Sequence, residues 1–312
     1  MMEEFQAYSP EEIILSNLEE LLLRSLENSE QELAHLRELA AEIASCFADD
    51  TAFLASLPDH RLPAPEKRRD LPDHLAPFAE PLCRGISTRR RILLCMELRK
   101  MIPAPQNLWQ DFFFPSGEEL SSFSFNRISY QKNSYTELAY QRFSKLLGEA
   151  RASYAHSFPS VCEDVYNGLS EYCILPIENS AEGRLSSFIR LISQYDLKIA
   201  ATCDVKIGED KVTRFALLRR SITKLRVSAE LPQYYEFSCQ LSEDPRAEDL
   251  LMAASLCGLT AESADIKMEK TSDSALHCVL RLEKGDLPAF LLYLAMEVPT
   301  ANPIGLYPNL PL

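Results

Sequence analysis

The stretch "LPIENSAEGRLSSFIRLI", Leu175 to Ile192, decides the fold of the middle of this chain. It begins as an apolar run typical of a buried strand, passes through Glu178, Asn179 and Ser180, and continues with apolar residues at helical spacing. Polar side chains at a junction between strand and helix are where α/β proteins often hold a small ligand. We therefore predict a strand up to Ile177, a helix over residues 182–195 and a ligand site between them.

Length and charge limit the classes of function. The 312 residues are 46% hydrophobic and 25% charged, enough for two or three globular domains with ordinary cores. A net charge of −14 repels a phosphate backbone, so nucleic acid is not an expected partner. The acidic start is unlike a secretory signal, and no run reaches the roughly eighteen apolar residues of a membrane span. We expect a cytoplasmic protein without a membrane partner.

The cysteines and histidines give no indication of a metal. None of the nine cysteines forms a CxxC pair, and the five histidines are scattered without an HExxH pattern. The cysteines are therefore expected to be reduced and mostly buried thiols. We predict neither a metal nor a cofactor.

Three regions follow from the pattern along the chain. Apolar residues at helical spacing over 10–55, a proline-rich connector and a helix over 89–101 predict an all-helical N-terminal domain, residues 1–102. Alternating strands and helices predict a single α/β lobe with a mostly parallel sheet over 127–220. Residues 234–312 have the order βαββαβ, which is ferredoxin-like. The predicted fold class is thus multidomain α+β.

The middle region resembles the prephenate dehydratase family. The segments that carry the likeness are "ISYQKNSYTELAYQRF" (128–143), "FPSVCEDVYNGLSEYCILPIENSAEGRLSSFIRLI" (158–192) and "KVTRFALL" (211–218). They correspond, in order, to the family's first strand-to-helix turn, its PIENS-x-x-G segment and its TRF motif. The C-terminal "NPIGLYPNL" is similar to the family's closing Leu-Gly-x-Tyr-Pro strand.

The resemblance implies an activity and a layout. Family members convert prephenate to phenylpyruvate in phenylalanine biosynthesis, by loss of a carboxylate and a hydroxyl. Many end in an ACT regulatory domain of βαββαβ order, and some begin with a helical chorismate mutase domain of the size of residues 1–102. The expected ligands are prephenate, a small dicarboxylate, and an amino-acid effector at the ACT-like domain. ACT domains commonly pair across a two-fold axis, so we expect a homodimer or a higher homo-oligomer.

The resemblance also assigns site residues. Thr213 of the TRF motif is the expected catalytic hydroxyl, since it can supply a proton or hydrogen bond to the leaving oxygen. Arg214 is the expected fork for a carboxylate. The two side chains alternate to opposite faces of a regular strand, so only an irregular strand brings both into one cleft.

Asn179, Ser180 and Gly183 are the expected substrate-binding residues of the PIENS segment. If the helix begins at residue 182, its free N–H groups and dipole favour an anion beside Asn179 and Ser180. Gly183 would let the backbone approach that ligand closely. The alternative is that Ser180 only caps the helix and Glu178 is a solvated side chain.

Two features depart from the family. The turn after Tyr130 lacks the family's glycines. In the family a whole second lobe separates the PIENS helix from the TRF strand, whereas here only residues 200–212 separate Ile199 from Thr213. A βαβ unit needs about thirty residues, so one wall of the cleft is expected to be missing. The ACT-like region also lacks the Gly-Ala-Leu-Val and Glu-Ser-Arg-Pro segments of members that sense phenylalanine.

Three functions remain open on the sequence. The chain could be a compact prephenate dehydratase, because PIENS and TRF are retained. It could be a catalytically silent regulatory protein that binds a small aromatic or amino acid, because the second lobe is lost. A bifunctional chorismate mutase and prephenate dehydratase is favoured by domain order alone. The basic run of Arg89, Arg90, Arg91, Arg99 and Lys100 is interpreted as a solvated helix face.

Overall fold

The structure is a computed structural model that describes residues 27–41, 44–45, 88–101, 126–148, 150–181, 183–206, 211–222, 225, 231–241, 246–268, 274–298, 300–310 and 312. The predicted helix over 10–55 is described only in part, and the connector between residues 102 and 125 lies outside these ranges. Among the described residues, no helix is both long and apolar enough to cross a membrane.

The helices of the described residues are α1 (27–41), α2 (Thr88–Met101), α3 (Ser134–Leu146), α4 (Phe158–Tyr166), α5 (Ser186–Tyr195), α6 (Ala247–Leu256) and α7 (Leu287–Glu297). The strands are β1 (Asn126–Tyr130), β2 (Ala150–Tyr154), β3 (Tyr172–Asn179), β4 (Gly183–Arg184), β5 (Lys198–Lys206), β6 (Val212–Arg219), β7 (Gln233–Leu241), β8 (Thr260–Met268), β9 (Ser274–Leu282) and β10 (Asn302–Leu310). The chain is therefore α+β, as predicted.

All ten strands belong to one mixed sheet of order β2-β1-β3-β6-β5-β10-β7-β9-β8, with β4 paired to β3. Only the pairs β1/β2, β1/β3 and β5/β10 are parallel. The prediction of a mostly parallel sheet was therefore wrong. The physical reason is the connection from β5 to β6, residues 207–211, which is far too short for a helical crossover and reverses the chain into an antiparallel pair.

The C-terminal elements run β7, α6, β8, β9, α7, β10, and their strands lie in the order β10-β7-β9-β8 with antiparallel neighbours. This is the strand order 4-1-3-2 of a ferredoxin-like unit. It is continuous with the rest of the sheet, because β10 also pairs with β5 in parallel. The α/β part and the C-terminal part thus share a single sheet.

Helices cover both faces of the sheet. One face packs on α4 and α5 through Val161, Phe188 and Leu191, which meet alternate residues of β3 and β6. The other face packs on α3 beside β1, β3 and β6, and on α6 and α7 beside β7 and β9. Helix α2 lies outside α7 and shares its core, so that α7 is buried around its whole circumference from Ala289 to Ala295.

The N-termini of α3 and α4 are fixed by side-chain hydrogen bonds. The side chain of Asn133 accepts from the backbone N–H of Tyr135 and Thr136, and the Thr136 hydroxyl accepts from the Asn133 N–H at 3.0 Å, which is a complete capping box for α3. Ser157 caps α4 in the same way through the N–H of Ser160. The turn that lacks the family's glycines is therefore closed by a cap.

Candidate functional site

The PIENS segment ends β3 and turns into a hairpin. The Asn179 side-chain oxygen accepts from the Ala181 N–H at 3.0 Å, and Gly183 and Arg184 then pair back with Asn179 and Glu178. Helix α5 begins only at Ser186, and its N-cap Leu185 makes no side-chain cap. The prediction that Asn179 and Ser180 lie at a helix N-terminus was therefore wrong. An Asn-centred turn competes locally with helix initiation and reverses the chain first.

Gly183 is needed for its backbone conformation. Its φ is +68°, in the left-handed region, and a Cβ at this position would meet no atom within 4 Å. The glycine therefore lets the hairpin turn, and its role in the close approach of a ligand stays a prediction.

The hairpin brings the predicted residues to one end of the sheet. Asn179 lies directly opposite Thr213 in the antiparallel β3/β6 pair. Ser180 bonds to Val212 twice, through its N–H to the carbonyl at 3.0 Å and through its hydroxyl, which accepts from the Val212 N–H at 3.3 Å. We call this region, formed by Glu178, Asn179, Ser180, Thr213 and Arg214, the Asn179–Thr213 end.

Thr213 and Arg214 point to opposite faces of the sheet. Thr213 lies on the same face as Phe215, which packs on the α3 side. Arg214 lies on the same face as Ala216, which packs on the α4 and α5 side. The register shift between Pro176 and Glu178 lies on the partner strand and leaves this alternation intact. A single ligand therefore cannot meet both side chains from one face.

Arg214 is held by two carboxylates. Its Nε donates to Asp204 Oδ1 at 2.7 Å, its Nη2 to Asp204 Oδ2 at 3.2 Å, and its Nη1 to Glu178 Oε2 at 3.3 Å. Both acids flank Arg214 in register on the neighbouring strands β5 and β3. The hydrogen bonds to Asp204 raise the pKa of Arg214 further above its already high value. Asp204 has no signal in the sequence, because only the strand register brings it to Arg214.

A second polar cluster is buried on the same face of the sheet, and we call it the Glu236 cluster: Glu236, Arg184, His277 and Tyr307. Glu236 on β7 has no exposed surface. Its Oε1 bonds to His277 Nε2 at 2.7 Å and forms an ion pair with Arg184, while its Oε2 accepts from the Tyr307 hydroxyl at 2.6 Å. An ionised carboxylate only accepts, so a neutral His277 carries its proton on Nε2.

The cluster keeps Glu236 ionised. Burial alone would raise the pKa of Glu236, but the hydrogen bonds from His277 and Tyr307 and the charge of Arg184 outweigh burial and lower the pKa below its ordinary value. The sequence signal was a lone glutamate in the apolar run "YYEFSC" and a histidine in "ALHCVL". Neither Glu236 nor Arg184 was predicted as a site residue from these signals.

The basic residues of α2 are used in packing. Arg91 pairs with Glu297 of α7 at 2.7 Å, with about a tenth of each side chain exposed, and Arg99 lies 3.8 Å from Asp286. Arg90 pairs with Glu32 of α1, and Lys100 pairs with Glu97 at 2.6 Å. The interpretation of this run as a solvated helix face was therefore wrong for Arg91 and Arg99, which lie against the C-terminal unit.

The comparisons with known proteins agree with the resemblance. Residues 130–210 match the family described as prephenate dehydratase. No curated protein matches the chain. Similar solved structures include the prephenate dehydratase of Streptococcus mutans (18% identity, 59% of this chain and 98% of that chain, TM-score 0.48) and GqqA, a quorum quenching acylase (19% identity, 58% and 94%, TM-score 0.47).

A third similar structure is the prephenate dehydratase of Arthrobacter aurescens in complex with L-Phe (14% identity, 58% of this chain and 89% of that chain, TM-score 0.46). These likenesses concern backbone shape. The sequence match spans β3, the hairpin, α5 and β5, where the family's PIENS segment was recognised. The likeness of this chain to the prephenate dehydratase family is thus shown for residues 130–210.

Proposed function

We propose that this chain is a catalytically silent prephenate dehydratase relative that binds a small amino acid at the Asn179–Thr213 end. The observation that carries the proposal is the engagement of Arg214 by Asp204 and Glu178. In an active dehydratase, the arginine of the TRF motif would bind a carboxylate of the substrate. Here the protein's own carboxylates already occupy it.

The local charge favours a zwitterion over a dianion. Asp204 and Glu178 contribute two negative charges and Arg214 one positive charge, a sum of −1. Prephenate would add two negative charges, and one contact between like charges at about 4 Å near a protein surface is unfavourable by up to about 4 kcal/mol. An amino acid instead offers an ammonium to Glu178, whose side chain is 47% exposed, and a carboxylate to the two N–H groups that Arg214 has left.

The absent second lobe supports the same function. Strand β5 ends at Lys206 and β6 begins at Val212, so the chain turns between the two strands where the family inserts a lobe. Dehydration needs a site that excludes water around the reacting ring, and a single wall does not enclose a ligand. Binding alone needs no such closure.

The test is a pair of measurements on the purified chain. Phenylpyruvate is followed after addition of chorismate and then of prephenate, and the binding of L-phenylalanine, L-tyrosine and prephenate is measured by calorimetry. We expect no phenylpyruvate above background and binding of an amino acid that Glu178→Gln weakens, because Glu178 is the proposed partner of the ammonium group. Turnover of prephenate, or amino-acid binding that is unchanged in Glu178→Gln, would refute the proposal. Product from chorismate would instead support the bifunctional enzyme.

A dehydratase is the second candidate, and the direct opposition of Thr213 and Asn179 favours it. In that case Thr213→Val, which keeps size and β-branching but removes the hydroxyl, lowers kcat by about 10² or more. Asn179→Ala removes an anchor used in the ground and transition states alike, and so raises KM at least as much as it lowers kcat. Equal rates for wild type and Thr213→Val would exclude this role.

We also infer a layout and an assembly to go with this function. The protein has three functional parts: a helical part (1–102), a dehydratase-like lobe (127–220) and an ACT-like regulatory part (234–312). It acts in the cytoplasm, in amino-acid metabolism. Self-association is supported by the open edge strand β8, on which Ile266 is 57% exposed. A monomer in light scattering of the full chain at high micromolar concentration would contradict the assembly.

A further inference from the structure

The Glu236 cluster joins the hairpin of the PIENS segment to the C-terminal unit. Arg184 belongs to β4, one residue after Gly183, whereas Glu236, His277 and Tyr307 belong to β7, β9 and β10. The side chain of Arg184 is 19% exposed and that of Glu236 only 1%. The ion pair therefore reaches from the hairpin of the PIENS segment into the interior of the C-terminal sheet.

The outgoing arm of the hairpin is bonded to β6 through Ser180 and Val212, whereas the returning arm is short and has the Leu185 N–H donating to the Ile177 carbonyl at 2.9 Å. Strand β4 is two residues long, and it contributes only the pairs of Glu178 with Arg184 and Asn179 with Gly183. Ala181 and Gly183 are exposed, and the N-cap residue Leu185 provides no side-chain cap to the following helix. A two-residue strand at the end of a sheet frays easily unless a side chain anchors it.

The C-terminal sheet holds its half of the cluster rigidly. His277 is 6% and Tyr307 4% exposed, and the Tyr307 ring stacks on Tyr234 with centroids 5.9 Å apart. A buried carboxylate with three donors would lose much of its stabilisation if Arg184 withdrew, since the desolvated charge would remain. Opening of the hairpin is therefore unfavourable as long as the C-terminal sheet keeps this geometry.

We propose that Glu236 and Arg184 are positioning residues that fix the hairpin carrying Asn179 and Ser180 against the C-terminal unit. The ligand site and the C-terminal unit are thereby coupled, so that a change at β7, β9 or β10 alters the order of the hairpin. The expected effect on amino-acid affinity rests on the proposed function. The positioning of the hairpin by Glu236 and Arg184 does not depend on a ligand. By linkage, a ligand that orders the hairpin also favours the intact cluster.

The experiment is amide hydrogen exchange of the full-length chain, without ligand, for the wild type, Glu236→Gln and Arg184→Met. Glu236→Gln keeps the shape of the side chain but removes its charge. Arg184→Met keeps the aliphatic stem and removes the guanidinium, and exchange in β1 and α3 reports whether its fold is retained. Glu283→Gln is the matched control, because it removes an exposed carboxylate from the residue after β9 that pairs with Arg281.

We expect peptides covering residues 178–185 to exchange at least about tenfold faster in Glu236→Gln and Arg184→Met, while β1 and α3 exchange as in the wild type. Glu283→Gln should leave the hairpin unchanged. Unchanged exchange of the hairpin in Arg184→Met would overturn the inference, and so would equal acceleration throughout the chain. Failure of every variant and of the wild type to bind an amino acid would refute the proposed function alone.

Discussion

Gly305 of β10 lies so close to Ile199 of β5 that a Cβ on the glycine would be 2.8 Å from the Ile199 Cβ. The same added carbon would lie 2.8 Å from the Ile199 carbonyl oxygen and from the ring of Tyr307. This is the parallel contact that joins the α/β part of the sheet to the C-terminal unit. The glycine of the closing "IGLYP" segment is therefore explained by close strand packing beside the tyrosine that bonds to Glu236.

Gly305→Ala should therefore lower the free energy of unfolding, by about 1–3 kcal/mol, because backbone and a β-branched core residue must both shift. Chemical denaturation measures the change. Gly148→Ala is the control, since a Cβ there meets nothing within 4 Å although its φ of +86° carries a backbone penalty. A smaller loss for Gly305→Ala than for Gly148→Ala would contradict the packing argument.

Tyr293→Phe should stabilise the protein. Tyr293 is 1% exposed in the core between α2 and α7, and within the part of the chain that the structure describes its hydroxyl has no hydrogen-bond partner. Burying an unsatisfied hydroxyl costs about 1–3 kcal/mol, and phenylalanine keeps the ring and removes that group. The measurement is a thermal unfolding scan. Tyr307→Phe, which loses the 2.6 Å bond to Glu236, should shift the midpoint in the opposite direction.

Arg91 and Glu297 should be coupled in a double-mutant cycle. Each side chain is about 10% exposed, so either single change leaves a charge poorly solvated, and we expect Arg91→Met or Glu297→Gln to cost about 3 kcal/mol. The double variant should lose less than the sum of the two. Additive losses would mean that the ion pair does not dock α2 on α7.

Four buried cysteines of the described residues should be inert towards alkylation in the native state. Burial raises the pKa of the Cys203, Cys239, Cys257 and Cys278 thiols to about 12, so roughly one thiol in 10⁵ is ionised at neutral pH. Iodoacetamide followed by peptide mass spectrometry should label these positions only after denaturation. Rapid native labelling of Cys203 would show that β5 opens readily.

The sequence predicts which segments form helices and strands better than it predicts which strands pair and in which direction. Apolar runs and spacing identified β3, β6, α7 and the βαββαβ order, because each is buried on at least one face. Strand β2, "ARASY", was missed because it is a half-exposed edge strand without alternation. The parallel bias of the sheet was mispredicted because the short β5–β6 connection was interpreted only as the loss of a lobe, although it also forces an antiparallel pair. The pairing of β10 with β5 leaves no residue pattern.

For the candidate site, too, the residue types were predictable from the sequence and the contacts between distant strands were not. The residue types at Asn179, Ser180, Thr213 and Arg214 were identified from motifs, and the register brings these residues together. What could not be read from the sequence was the set of partners: Asp204 on Arg214, and Glu236 on Arg184. These contacts arise between strands distant in sequence, and they decide the charge of the site. A motif gives the residue types but leaves the electrostatics open.

The Glu236 cluster also makes stability depend on pH in the acidic range. Because the folded-state pKa of Glu236 lies below its unfolded value of about 4.3, its contribution is fully present above that pH and is lost as the pH falls towards the folded pKa. The free energy of unfolding should therefore fall below about pH 4.5 with a steeper slope in the wild type than in Glu236→Gln, which binds no proton there. Urea titrations between pH 3 and pH 6 measure the two slopes, with Glu283→Gln as the control that keeps the wild-type slope. Parallel curves for wild type and Glu236→Gln would mean that the buried carboxyl takes up its proton equally well in the folded and unfolded chain, and that His277, Tyr307 and Arg184 do not hold it ionised.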